Sequence, residues 1–110
     1  MRESHRGESK RRLTIAIDFD GTFAEDPEAF REIVEVFQAR GHQCVMVTNR
    51  PEEWGQDVRR LVGDLMPIVF AGRFSKTGAA YRHGYDVDIW MDDMPHVIEM
   101  DGVVYLGGAA

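Results

Sequence analysis

Leu13-Thr14-Ile15-Ala16-Ile17 runs without a break into Asp18-Phe19-Asp20-Gly21-Thr22, and this junction constrains the chain more than any other stretch. The apolar run has the character of a strand covered on both faces, as in a parallel sheet. In an extended chain, side chains two apart share a face, so Asp18 and Asp20 can point into one site. Gly21 permits a sharp turn that a Cβ would resist, and Thr22 can bond local backbone and hold that turn. Two carboxylates this close repel each other. Either one is neutral or a cation sits between them, which points to a metal-dependent acid/base or nucleophilic site.

Strand and helix signals alternate after this junction. Asp26-Pro27-Glu28 reads as a helix start, with Asp26 as cap, and Phe30, Ile33, Val34 and Phe37 form one apolar stripe that ends at Gly41. Cys44 to Val47 is a second strand. The next helix has Trp54, Val58, Leu61 and Val62 as its inner face and stops at Gly63. Pro67 to Ala71 is a short third strand. Ser75 caps a third helix that runs to about His83. Val87 to Met91 is a fourth strand, Pro95 opens a brief helical turn, and Val103 to Leu106 follows the Asp101-Gly102 turn as a fifth.

This order predicts a three-layer, Rossmann-like α/β fold: a mainly parallel five-stranded sheet with helices on both faces. Such sheets bind ligands at the carboxyl ends of their strands. The polar residues stand there: Asp18 and Asp20 after strand one, Thr48-Asn49-Arg50 after strand two, Asp92 and Asp93 after strand four, with Lys76 opening the helix before strand four.

At 110 residues the chain is one domain, spanning 13–106, with a basic arm at 1–12 and a frayed end at 107–110. The arm has five basic and two acidic side chains, net +3; the rest has eight and seventeen, net −9. An acidic body does not attract nucleic acid over its general surface, although the arm could contact a polyanion. Cys44 is the only cysteine, so no intrachain disulfide forms, and its apolar neighbours mark a buried, inert thiol. No apolar run approaches the ~18 residues of a membrane helix, and no signal peptide precedes Leu13, so a cytoplasmic location is expected. His42, His83 and His96 lack ligand spacing and are assigned no chemistry. Trp54 and Trp90 read as core. Ser75-Lys76-Thr77-Gly78 lacks the upstream glycine of a phosphate loop.

Asp18-Phe19-Asp20-Gly21-Thr22 resembles the first motif of the haloacid dehalogenase (HAD) superfamily. Val45-Met46-Val47-Thr48 resembles its second motif, Lys76 its third, and Trp90-Met91-Asp92-Asp93 the paired-acid form of its fourth. The resemblance spans residues 13–93 in the family's order. It implies a Mg²⁺-dependent phosphatase acting on a phosphomonoester through an aspartyl-phosphate on Asp18. Asp20 would be general acid and base, and neighbouring anions would favour its neutral form. Asp18, the backbone carbonyl of Asp20 and Asp92 would hold Mg²⁺, with Asp93 direct or through water. Thr48 and Lys76 would contact the phosphoryl group, with Asn49 beside them. Arg50 could contact substrate phosphate, although it also reads as a surface arginine.

Neither gap between motifs has room for a cap domain. An open site excludes water poorly. Two expectations follow: a large phosphorylated substrate that covers the site itself, or a lid from a second subunit. A phosphate- or metal-binding module without turnover is the alternative function. A signalling receiver domain fits less well, because strand three ends at Ala71-Gly72 with no acid.

Overall fold

The computed structural model describes residues 11–103. Thr14–Ile17 forms β1, and its first residues are tied at both sides. The Leu13 N–H donates to His42 Nδ1 at 3.0 Å, and the Thr14 N–H donates to the Asp88 carboxylate at 2.9 Å, which also takes an ion pair from Arg11 at 2.7 Å. The Thr14 N–H and the Arg11 bond hold the Asp88 carboxyl below the usual carboxylate range. His42 thus accepts a backbone bond that ties the start of β1.

The remaining elements are α1 (Pro27–Ala39), β2 (Gln43–Thr48), α2 (Gln56–Val62), β3 (Ile68–Phe70), α3 (Lys76–Arg82) and β4 (Ile89–Met91). The capping expectations hold. The Asp26 side chain accepts from the Ala29 N–H at 3.1 Å, and the Ser75 hydroxyl accepts from the Gly78 N–H at 2.9 Å. Short 3₁₀ turns occupy Phe23–Glu25, Glu52–Trp54 and Pro95–Val97. The four strands form one parallel sheet in the order β3-β2-β1-β4. The fifth strand expected at 103–106 lies outside the described residues except for Val103, which belongs to no strand.

The strand order explains the layers. From β1 to β3 the chain steps in one direction, then returns past β2 and β1 to lay down β4. Crossovers of one hand then put the last helix on the opposite face. Ile15, Ile17, Cys44 and Met46 pack with Val34 of α1 and Val58 and Val62 of α2. The alternate residues Ala16, Val45 and Val47 pack with Ala79 and Ala80 of α3. The period-two division of β1 and β2 is therefore the division between two buried cores.

Two helix-face expectations are corrected. Trp54 lies before α2 in a 3₁₀ turn and is 51% exposed, and Leu61 is also exposed, so only Val58 and Val62 form the buried face of that helix. The helix begins two residues after Trp54, and Gly55 just before it packs its backbone against the Phe70 ring, where a Cβ would clash.

The segment after Asp20 is tightly held. Phe23 is fully buried between Phe19 and Phe30. Burial of such a ring stabilises by roughly 2–3 kcal/mol, so the connection into α1 is packed down over the core. Among the described residues no inserted cap separates the motif-bearing strand ends.

Candidate functional site

The direction in which successive strands are added across the sheet reverses between β1 and β4, and in open parallel sheets the crevice for ligands lies outside the carboxyl ends of the strands at such a point. Ile17 and Met91 are paired in register, and each is followed at once by an aspartate, Asp18 and Asp92. The ladder extends into the site, because the Asp18 N–H donates to the Met91 carbonyl at 2.9 Å.

Lys76, the first residue of α3, reaches both aspartates. Its Nζ donates to Asp18 Oδ1 at 2.8 Å and to Asp92 Oδ2 at 2.6 Å. Lys76 is 3% exposed, far from the solvated lysine that a first helical turn ordinarily carries. A cation at a helix start is disfavoured by the dipole, and these two buried carboxylates offset that cost. Asp92 is completed by the Met94 N–H, which donates to its Oδ1 at 2.9 Å.

Asp93 joins the group through Thr22. The Thr22 hydroxyl lies 3.2 Å from Asp93 Oδ1 and 3.5 Å from Asp18 Oδ2, and it accepts from the Asp93 N–H at 3.2 Å. Thr22 therefore bridges the ends of β1 and β4 rather than bonding only its own turn. Gly21 has φ +80°, and a Cβ there would lie 2.4 Å from Asp93 Oδ2. Its lack of a side chain serves both the turn and the approach of Asp93.

One oxygen from each of Asp18, Asp92 and Asp93 lies within 4.8 Å of the others, and this trio could hold a metal ion. Burial pushes the Asp18 carboxyl up to about 7; Lys76 opposes the shift, and Asp92 and Asp93 add to it. With all three carboxylates ionised and one lysine, the group carries net −2, which a divalent cation would neutralise. The donors are all oxygen, which suits a hard ion such as Mg²⁺.

Asp20 is placed differently. Its side chain is 40% exposed and bonded to Arg50, with Nε to Oδ2 at 3.0 Å and Nη2 to Oδ1 at 2.8 Å. Its immediate neighbour is thus a cation, not the anions expected to favour its neutral form. Arg50 is no surface residue: it is 8% exposed, its guanidinium stands over the Phe19 ring at 5.1 Å, and it also bonds Asp57 and the Trp54 carbonyl. The bond to Asp20 raises the Arg50 pKa above its ordinary value against the opposing effect of burial.

Thr48 ends β2 at 1% exposure, and its hydroxyl oxygen accepts from the Arg50 N–H at 3.2 Å, leaving the hydroxyl hydrogen to donate elsewhere. Asn49 follows, with a buried Nδ2 that has no acceptor among the described residues. Asp57 escaped the sequence reading. It lies seven residues from Arg50 in the first turn of α2, and no motif marks it. Trp90 is half-buried against the second core cluster, and Cys44 is buried, its thiol pushed up by desolvation. Among the described residues no helix is long and apolar enough to cross a membrane.

Compared with known proteins, the chain matches no family model, no curated protein and no solved structure.

Proposed function

We propose that the protein is a Mg²⁺-dependent phosphohydrolase that transfers the phosphoryl group of a phosphomonoester to Asp18 and then to water. The observation that carries this reading is Lys76, buried and bonded at once to Asp18 and Asp92, with Asp93 completing an acidic trio. A buried lysine between two aspartates is costly to assemble for stability alone. It makes chemical sense where an anion must approach a carboxylate nucleophile. The order of the four HAD-like motifs along residues 13–93 supports the same reading.

Asp18, Asp92 and Asp93 would hold the cation, with the Asp20 carbonyl as the further ligand the motif implies. The cation supplies neutralisation of charge as the phosphoryl group is transferred. An Asp18 oxygen forms the bond to phosphorus while the ester oxygen leaves and takes a proton from Asp20, which must enter the step protonated beside the Arg50 fork. Water then attacks phosphorus, its proton passes to Asp20, and the bond to Asp18 breaks. Lys76 offsets charge on Asp18 and on the phosphoryl oxygens. The Thr48 hydroxyl and the orphaned Asn49 Nδ2 are donors suited to those oxygens. Asp93 and Asp20 are open to solvent and no cap covers them among the described residues, which favours a bulky phosphorylated substrate that shields the site itself.

The test is Mg²⁺-dependent phosphate release from 4-nitrophenyl phosphate by the wild type and by Asp18→Asn. The expected result is release that the substitution abolishes. Equal rates in the two proteins would leave a cation-binding module without turnover.

A further inference from the structure

Asp20 stands three residues beyond the end of β1, outside the strand, with its side chain 40% exposed. Arg50 fixes it from the end of β2. The guanidinium meets both carboxylate oxygens in a fork, at 3.0 and 2.8 Å. Its third nitrogen, Nη1, is held by the Trp54 carbonyl at 3.0 Å and by Asp57 Oδ1. Asp57 Oδ1 in turn accepts from the Val58 N–H at 3.0 Å, within the first turn of α2. Four bonds and the Phe19 ring leave the guanidinium little freedom. The chain of contact runs from α2 through Asp57 and Arg50 to Asp20.

We infer that Arg50, anchored by Asp57, is the positioning residue for Asp20: it aims the carboxyl group that gives a proton to the leaving oxygen and takes one from water. The inference rests on the phosphohydrolase reading above. Each Asp20 oxygen accepts one bond from Arg50 and keeps a second lone pair for the proton in transit. A planar fork sets both the position and the plane of the carboxyl group, which a lysine ammonium cannot do. Arg50 thereby acts through Asp20 and not by touching substrate.

The two roles separate by leaving group. Phenolate leaves well only when protonated, whereas 2,4-dinitrophenolate leaves without a proton. kcat/KM, which reports the step through transfer to Asp18, is measured on both phosphate esters in Mg²⁺ for Arg50→Ala, Arg50→Lys, Asp57→Asn, Asp20→Asn and the Arg50→Ala/Asp20→Asn double variant. The expected result is a loss of about a hundredfold on phenyl phosphate for Arg50→Ala, the scale of general acid catalysis, with the dinitrophenyl ester within about threefold of wild type. KM should move little, and Arg50→Lys should recover part of the loss. The double variant should be no slower than Asp20→Asn alone, as for residues that act as a unit. Equal losses on both esters, a raised KM, or additive losses in the double variant would overturn the inference and make Arg50 a substrate contact or a structural residue. If Arg50→Ala does not fold, Asp57→Asn decides alone, since it leaves Asp20 and Arg50 in place: an unchanged ratio between the two esters overturns the inference. Turnover that Asp18→Asn abolishes, with an unchanged ester ratio in the Arg50 variants, ends this inference only. Turnover that Asp18→Asn leaves intact ends the phosphohydrolase reading and this inference with it.

Discussion

Replacing Lys76 by Met removes the one cation that the structure shows bonded to the Asp18 and Asp92 carboxylates. Met keeps much of the volume, so packing changes little. What remains is an acidic group whose Asp18 and Asp92 side chains are 8% and 1% exposed and have lost their shared cation, with only the Thr22 hydroxyl and the Met94 N–H left beside them. Breaking a buried pair by deleting one member costs about 3–5 kcal/mol, because a charge is left buried and uncompensated. A domain of this size has roughly 5–15 kcal/mol in total, so the variant should be close to its folding limit. The assay is urea denaturation in EDTA at about pH 8 and again at about pH 5, where the Asp18 carboxyl, raised to about 7, can take up a proton instead of remaining charged. The loss should be near the full value at the higher pH and should shrink at the lower. Adding Asp92→Asn to Lys76→Met should recover part of it, because the two sites touch and cannot be additive. A loss below about 1 kcal/mol at the higher pH would mean that Lys76 is solvated and that the buried ion group does not exist as described.

The same geometry leads to other expectations. The Asp18 carboxyl is raised from 3.8 unfolded to about 7 folded, so in the absence of metal its contribution to stability is fully present below about pH 4 and is lost as pH rises towards 7. Thermal melts in EDTA across that range check the sign, and Asp18→Asn should flatten this part of the profile. Because a proton and a cation compete for Asp18, Mg²⁺ affinity measured by calorimetry should rise between about pH 5 and 7 and level off above it. Gly21→Ala combines a positive φ with a Cβ 2.4 Å from the Asp93 carboxylate. It should destabilise the fold by about 1 kcal/mol or more and weaken Mg²⁺ binding further by displacing Asp93, read by denaturation and calorimetry on the same variant.

The sequence carried the sheet and the strand-end aspartates because both depend on local pattern. An apolar run that stops at an acid, as at Ile17-Asp18 and Met91-Asp92, declares a buried strand and its carboxyl end at once. Capping at Asp26 and Ser75 was legible for the same reason. The surroundings of Arg50 were not. Its partners Asp20 and Asp57 come from β1 and from the first turn of α2, and only the placement of β2 beside β1 brings them together. Thr22 misled in a similar way: its bond to Asp93 spans 71 residues and depends on the β1–β4 register. Helical spacing turns Trp54 inward, but the helix begins after it, where Gly55 meets the Phe70 ring.

The account turns on Asp18 as the group that receives phosphorus. The most direct measurement is mass spectrometry of protein quenched in acid during turnover of a phosphomonoester with Mg²⁺. The account predicts one phosphoryl group on the peptide containing Asp18, absent in EDTA and absent in Asp18→Asn. Steady turnover with that peptide unmodified, or a phosphoryl group that persists in Asp18→Asn, would contradict it.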